Sequence, residues 1–312
     1  TTMDYITTNG MTLPRLTLGT VQLGVRYGIA NQAGKPDETQ SGRLLQLAEQ
    51  LGVTCFDTAA GYGDAESVLG RYFSRHPREK RWIITKFRLD HEVGTTELEL
   101  EKAVRSQLEQ SLLRLNLTRI PICLLHHADD LHRHGSRLVA VLERLVRENL
   151  IGLMGVSVYR AADIDCMLAY DLFQAVQIPI NVLDQRLIRS GHLEQLNKKG
   201  VIVFARSIFL QGLFFVEPDC LPPALSAAAP LLRQLRQLAA EEQLSVTQLA
   251  VSFVRDLPGI VSLVVGSETV EQIRDNVRLC TGPSLSEAGR SAADRLFRNV
   301  PEIVVNPAMW PV

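Results

Sequence analysis

Nowhere in the 312 residues does an apolar run approach the ~20 residues that a bilayer-spanning helix needs. The opening Thr1-Thr2-Met3-Asp4 has no basic segment leading into an apolar one, so no signal peptide is expected. An excess of charge of either sign is also missing. Lys and Arg number 33 against 34 Asp and Glu, a formal charge of -1, which gives no electrostatic reason to expect nucleic acid or an anionic membrane as partner. No C-x-x-C pair occurs among Cys55, Cys123, Cys166, Cys220 and Cys280. Cys55 and Cys123 lie in apolar runs, where a free thiol behaves as a small hydrophobe. All five read as unpaired, which predicts a reducing, cytoplasmic setting. No low-complexity linker interrupts the chain, so a single domain over 1–312 is expected. What is present is 46% hydrophobic and 21% charged residues, a mixture that suits a large buried core.

Short apolar runs alternate with longer amphipathic ones. The strand-like runs are Leu16–Leu18, Thr54–Thr58, Trp82–Thr85, Ile122–Leu125, Leu153–Val158, Ala175–Ile178, Val201–Ala205 and Ser262–Val265. Their near-continuous Val, Ile, Leu and Phe content is that of strands buried on both faces, as in a parallel sheet covered by helices. Helical spacing marks Thr39–Leu51, Thr96–Leu115, Leu138–Glu148 and Leu231–Glu241, and Gly52, Gly152 and Gly200 each stand just before a strand, where helix stops are expected. Eight strand–helix units predict a closed (β/α)8 barrel of the TIM type. The competing fold, an open doubly wound sheet, lacks support because no G-x-G-x-x-G follows the first strand. Tyr5–Pro14 reads as an N-terminal hairpin turning at Asn9-Gly10, a plug for the barrel's bottom. Ser286–Arg298 reads as an extra C-terminal helix.

In such a barrel, chemistry gathers where strands end. The second strand runs into Asp57-Thr58-Ala59-Ala60-Gly61-Tyr62-Gly63, the third into Lys86, and the fourth into His126-His127. A tyrosine hydroxyl ordinarily titrates near ~10, and a neighbouring lysine cation favours its phenolate. An aspartate can hold that lysine charged and in place, and a histidine can orient a substrate oxygen. Together they make a proton donor or acceptor poised over a carbonyl or carbinol. Taken singly, Asp57 could be a loop cap, Lys86 a solvated lysine and Tyr62 a packing residue. His126, His127, Asp129 and Asp130 superficially resemble metal ligands, but barrel metal sites draw ligands from several strands and the first strand carries no His-x-His, so no metal is expected. His76, His132, His134 and His192 are expected at the surface.

The segments Asp57–Gly63, Lys86 and Leu125-His126 resemble the catalytic tetrad segments of aldo-keto reductases, bacterial members acting on sugars and aldehydes among them. The resemblance continues through Leu18-Gly19-Thr20, Gly155-Val156-Ser157, Val176-Gln177, Gly212-Leu213 and the region Leu235 to Asn276, so it covers nearly the whole chain. It implies an NAD(P)-dependent oxidoreductase in which Tyr62 is the general acid/base, Lys86 and Asp57 tune it and His126 orients the substrate oxygen. A cofactor-binding regulatory or scaffold subunit with little turnover is the competing reading. Arg26, Tyr27 and His127 would line the substrate pocket, with Val25, Asp129 and Trp310 nearby. Their mix of Arg, His and Tyr suggests a small oxygen-rich substrate, a sugar or sugar-derived carbonyl.

The family's dinucleotide lies extended across the barrel mouth, so the resemblance implies a cofactor site that takes in Gly19, Thr20 and Asp57. Ser157 and Gln177 would hold the nicotinamide carboxamide, although Val158 replaces the usual Asn. Arg206 occupies the position of an aromatic residue that stacks on the nicotinamide; its guanidinium can stack too, or it binds a phosphate or an acidic neighbour. Ser207, Phe209 and Gln211 would lie near the pyrophosphate. Gly266, Ser267, Glu268, Gln272 and Asn276 match the adenosine end. A 2′-phosphate needs cations, whereas a ribose hydroxyl can donate to a carboxylate. With Glu268 there, NAD(H) is favoured slightly over NADP(H), unless Arg274 supplies the cation.

Overall fold

The computed structural model describes residues 3–26, 34–78, 80–94 and 96–310. The chain opens with an antiparallel hairpin, β1 (Tyr5–Thr8) and β2 (Met11–Pro14). Asn9 and Gly10, at φ 49° and 74°, supply the two left-handed positions that a tight two-residue hairpin turn requires. Eight strands follow: β3 (Leu16–Gly19), β4 (Cys55–Asp57), β5 (Trp82–Phe87), β6 (Ile120–Leu125), β7 (Ile151–Ser157), β8 (Phe173–Pro179), β9 (Ile202–Arg206) and β10 (Ile260–Gly266). All pair in parallel with their neighbours, and β10 pairs with β3, which closes the barrel.

Two apolar layers account for the continuous hydrophobicity of these strands. One fills the barrel, where Cys55, Ile84, Ile122, Leu124, Ala175, Ile202 and Phe204 pack together with Met11 and Leu13 of the hairpin. The hairpin therefore stoppers the barrel at the end where strands begin, and the Trp82 indole fastens it by donating to the Thr12 carbonyl at 2.9 Å. The other layer lies between the strands and the surrounding helices. Side chains that alternate between these layers are mostly apolar, and the polar ones, such as Thr17 and Ser262, pair with one another, so no polar face interrupts the runs.

Helix ends follow local chemistry. The helix Glu38–Gln50 starts at a capping box in which the Asp37 carboxylate accepts from Gln40 N at 2.7 Å while Gln40 Oε1 accepts from Asp37 N at 2.9 Å. Thr96 and Glu99 do the same for Glu97–Leu115. Each such cap contributes about 1 kcal/mol. The helix Asp129–Arg147 begins well before the expected Leu138 because its first part is offset by a kink at Gly135, φ 51° and ψ -134°. That kink corrects one expectation. His134, read from the sequence as a surface residue, is turned inward and buried, and neither ring nitrogen has a partner among the described residues. Beyond the barrel, Glu287–Leu296 is the additional C-terminal helix.

Candidate active site

The strand ends converge as the register dictates. Asp57 closes β4, Lys86 lies on β5, and Ser157 and Gln177 are direct partners on β7 and β8. Lys86 is 1% exposed, so its ammonium must find every partner inside the protein. It donates to Asp57 Oδ2 at 2.7 Å, to the Thr58 carbonyl at 2.9 Å and to the Tyr62 hydroxyl oxygen at 3.4 Å. Those contacts use all three of its donors. Burial pulls the Lys86 pKa down, but the Asp57 carboxylate and then the Tyr62 oxygen outweigh it and hold the group above the ordinary lysine value. The other Asp57 oxygen accepts from Gln177 Nε2 at 2.7 Å. A buried ion pair is thus satisfied on both sides, and its cation is presented to one phenolic oxygen.

Tyr62 is carried on the turn after β4, and two glycines let that turn sit where it does. A Cβ on Gly24 would stand 1.7 Å from the Tyr62 carbonyl oxygen. Gly63, at φ +58°, would place one 2.6 Å from the Gly24 carbonyl oxygen. Across the turn, the His126 ring meets the Tyr62 ring edge-on, with centroids 5.5 Å apart. Burial, followed by Lys86, His127, Arg206 and Arg88, pushes the His126 pKa down to about 3. Its imidazole is therefore neutral at physiological pH, with one nitrogen able to donate and one to accept.

His127 belongs to a different layer of the mouth. Its ring stacks on Tyr159 at 5.4 Å and 10°, and the Arg206 guanidinium lies 4.3 Å from the centre of that same Tyr159 ring. Arg206 also donates to the Val158 carbonyl at 3.0 Å and to Ser207 Oγ at 3.3 Å. Burial and the nearby Arg88 keep His127 below the ordinary histidine range, against the opposing pull of Asp129.

A cavity of about 500 Å³ runs from Tyr62 and His126 across the strand ends to Asn276 and Leu279. Of the residues expected at a cofactor, Gly19, Thr20, Asp57, Ser157, Gln177, Arg206, Ser207, Phe209, Gln211, Gly266, Glu268, Gln272 and Asn276 line it. Ser267 stands just behind, its hydroxyl accepting from Asn276 Nδ2 at 3.0 Å. The loop after β9 is unusual in its backbone: Ser207, Leu210 and Gln211 all have positive φ, as does Gly212. Left-handed geometry costs an L-residue roughly 1–2 kcal/mol, and such outliers collect at ligand clamps.

The expected substrate residues are less closely gathered. His127 does not line the cavity but braces its rim through Tyr159. Arg26 lies at the edge of the described chain, and Tyr27 falls outside the described residues. Trp310 is buried and donates to the Ile303 carbonyl at 2.8 Å, away from the cavity lining.

Sequence reasoning missed Gln22, Tyr159 and Phe215, which all line the cavity. Gln22 lies over Gly266, where a Cβ would meet its amide at 2.3 Å, and its buried Oε1 has no partner among the described residues. Its place two residues after Thr20, just past a strand end, was the available signal. Among the described residues, no group of three His, Cys, Asp or Glu is arranged to hold a metal ion. No helix among them is long and apolar enough to cross a membrane.

Comparison with known proteins adds an independent line. The model of the "Aldo/keto reductase family" matches residues 15–295. The chain is 26% identical over 299 residues to the NADH-specific methylglyoxal reductase of Escherichia coli, covering 86% of this chain and 90% of that protein. It is 27% identical over 309 residues to the L-glyceraldehyde 3-phosphate reductase of the same species, covering 88% and 86%. With L-galactose dehydrogenase of Arabidopsis thaliana it shares 26% over 270 residues, 80% of each chain. An aldo-keto reductase structure from Bacillus halodurans, in its holo form, superposes with a TM-score of 0.75 at 20% identity, covering 94% of this chain and 96% of that one, and so shares the fold.

Proposed function

The chain belongs to the aldo/keto reductase family of NAD(P)-dependent oxidoreductases, and from that premise we propose that it moves a hydride between NAD(H) and the carbonyl or alcohol carbon of a small polar substrate, a sugar or sugar derivative. The observation that carries this reading is the buried Lys86, held by Asp57 and directed at the Tyr62 hydroxyl.

The cavity fits a dinucleotide. It is polar at both ends, through Tyr62, His126 and Gln177 at one and Glu268, Gln272 and Asn276 at the other. Its middle is flanked by Ile208, Phe209, Val265 and Phe215. The orphaned Gln22 Oε1 offers an acceptor in the wall between. Ser157 and Gln177 would face the carboxamide, Gly19 and Thr20 the floor beneath it, and Ser207 and Gln211 the pyrophosphate. Gly266, Ser267 and Asn276 would face the adenosine. Burial raises the Glu268 carboxyl above its ordinary range. A partly buried carboxyl group gains from a ribose hydroxyl and loses against a phosphate, which favours NAD(H) over NADP(H). The NADH-specific relative agrees with this choice.

The nicotinamide, when bound, supplies or accepts the hydride. The rest is done by this chain's side chains. Tyr62 gives its hydroxyl proton to the carbonyl oxygen on reduction and recovers one from the alcohol on oxidation. Lys86 stabilises the negative charge that develops on the phenolic oxygen, in a site where little water screens it. Asp57 and Gln177 hold Lys86 in line. The neutral His126 donates a hydrogen bond to the substrate oxygen and fixes its approach to Tyr62.

Reductases of methylglyoxal and glyceraldehyde 3-phosphate and a galactose dehydrogenase share the feature of small, oxygen-rich substrates, which supports the same class here. One domain spanning 1–312 in the cytoplasm, with its five cysteines free, completes the reading. A panel of short aldehydes, aldoses and sugar phosphates, assayed with both nicotinamide cofactors by absorbance, tests it. Turnover with at least one small hydroxylated carbonyl or carbinol is expected. Tight cofactor binding with no turnover across the panel would point instead to a scaffold subunit.

A further inference from the structure

The charges around Tyr62 do not cancel. Asp57 is matched by Lys86. His126 is held neutral. Asp129 and Asp163 lie within ion-pair reach of Arg160, and Asp163 also meets His132. Arg88 and Arg206 are left over, both acting on His126, and of the two Arg206 is the one in the cavity wall. Its partners are a backbone carbonyl, a serine hydroxyl and the Tyr159 ring, all neutral. No carboxylate among the described residues lies within 4 Å of it. A guanidinium keeps its charge at any physiological pH. Two of its five N–H donors are used.

We propose that Arg206 biases this site toward the reduced cofactor, because an uncompensated cation at the mouth disfavours the positively charged oxidised nicotinamide and leaves the neutral reduced ring untouched. The inference rests on reading the cavity as a nicotinamide dinucleotide site. The hydride must reach a carbon whose oxygen meets Tyr62; Tyr62 packs on His126, Arg206 acts on His126, and all three line one cavity, so the nicotinamide lies in the same part of the mouth as Arg206. Like charges several ångströms apart in a partly desolvated site change an equilibrium constant by roughly tenfold or more. The Tyr159 ring and the bonds to Val158 and Ser207 hold the guanidinium at the mouth. By this account the protein works as a reductase: it holds the hydride donor and releases the oxidised cofactor.

The test is calorimetric titration of the apoprotein with NADH and with NAD+, repeated on Arg206→Gln and Arg206→Lys. The unmodified protein should bind NADH at least ~tenfold more tightly than NAD+. Arg206→Gln should shrink that ratio about tenfold by strengthening NAD+ binding while NADH binding changes little. Arg206→Lys loses the planar stack but keeps the charge, and should retain most of the ratio. A purely structural role would instead weaken both ligands together in both variants. Equal affinities in the unmodified protein, or a ratio unmoved by Arg206→Gln, would overturn the inference and leave the cofactor reading intact. Failure of both nucleotides to bind, with NADP+ and NADPH also silent, would overturn the cofactor reading and this inference with it.

Discussion

Replacing Lys86 by methionine separates what the buried pair does for stability from what it does for chemistry. Lys86 and Asp57 side chains are 1% and 4% exposed and 2.7 Å apart. Removing the ammonium leaves a carboxylate that is still desolvated, supported only by the Gln177 amide. Breaking a buried pair from one side costs about 3–5 kcal/mol. The double variant Lys86→Met/Asp57→Asn leaves no charge behind, and its amide can still accept from Gln177. Pairs replaced as a unit are often near neutral, so the double variant should recover at least half of the loss. Urea unfolding of the three proteins gives the free energies, and a coupling of ~1–3 kcal/mol is expected between the two sites. Activity should follow the opposite logic: the double variant folds well and stays inactive, since nothing then stabilises charge on Tyr62. A double variant no more stable than the single one would refute the claim that the uncompensated Asp57 carboxylate is what destabilises Lys86→Met.

The pH dependence of stability isolates His126. With a folded pKa pushed to about 3 against an ordinary value near ~6.5, the unfolded chain binds a proton between those limits that the folded protein does not. Stability is then fully present above ~6.5 and falls as pH drops toward 3, by up to ~1.4 kcal/mol per unit; His126→Gln should flatten the difference between unfolding free energies at pH 7 and pH 5. At the far end of the cavity, NADH should bind more tightly than NADPH, and Glu268→Arg should narrow or reverse the gap in fluorescence titrations; tighter NADPH binding that Arg274→Ala weakens would show that Arg274 is the determining residue. Gly24→Ala puts a methyl into the Tyr62 backbone, which should cost about 1–3 kcal/mol in thermal or urea unfolding and lower kcat by displacing Tyr62; unchanged kcat would show that the turn after β4 does not need this close approach.

The barrel was legible because strands buried on both faces have few polar positions to disguise them, and each of the eight runs overlaps its strand. The meeting of Asp57 and Lys86 was legible from their joint place at successive strand ends and from the family resemblance, since either charge alone could equally have been a cap or a solvated side chain. Loops gave less. Tyr159 faces the cavity through its stack with His127 and Arg206, a tertiary arrangement that leaves no periodic trace. Gln22 matters because its side chain crosses to Gly266 on the neighbouring strand. His134 was misplaced because the helix was read only from Leu138, and the first part of Asp129–Arg147 is set off from that periodicity by the kink at Gly135. His127 was placed in the pocket by the family resemblance, and its ring stacks on Tyr159, which lines the cavity.

The central claim is that the Tyr62 hydroxyl moves the proton. Tyr62→Phe removes one oxygen, 3.4 Å from Lys86 Nζ, and leaves the ring to meet His126. Single-turnover rates with a substrate found active, together with NADH affinity by fluorescence titration, measure the two consequences separately. The rate should fall roughly 10²–10⁴-fold, the contribution of a positioned acid/base, while NADH affinity stays within about twofold, inside the ~0.5 kcal/mol expected of a change that spares the binding site. A rate unchanged by Tyr62→Phe, with cofactor still bound, would contradict the account.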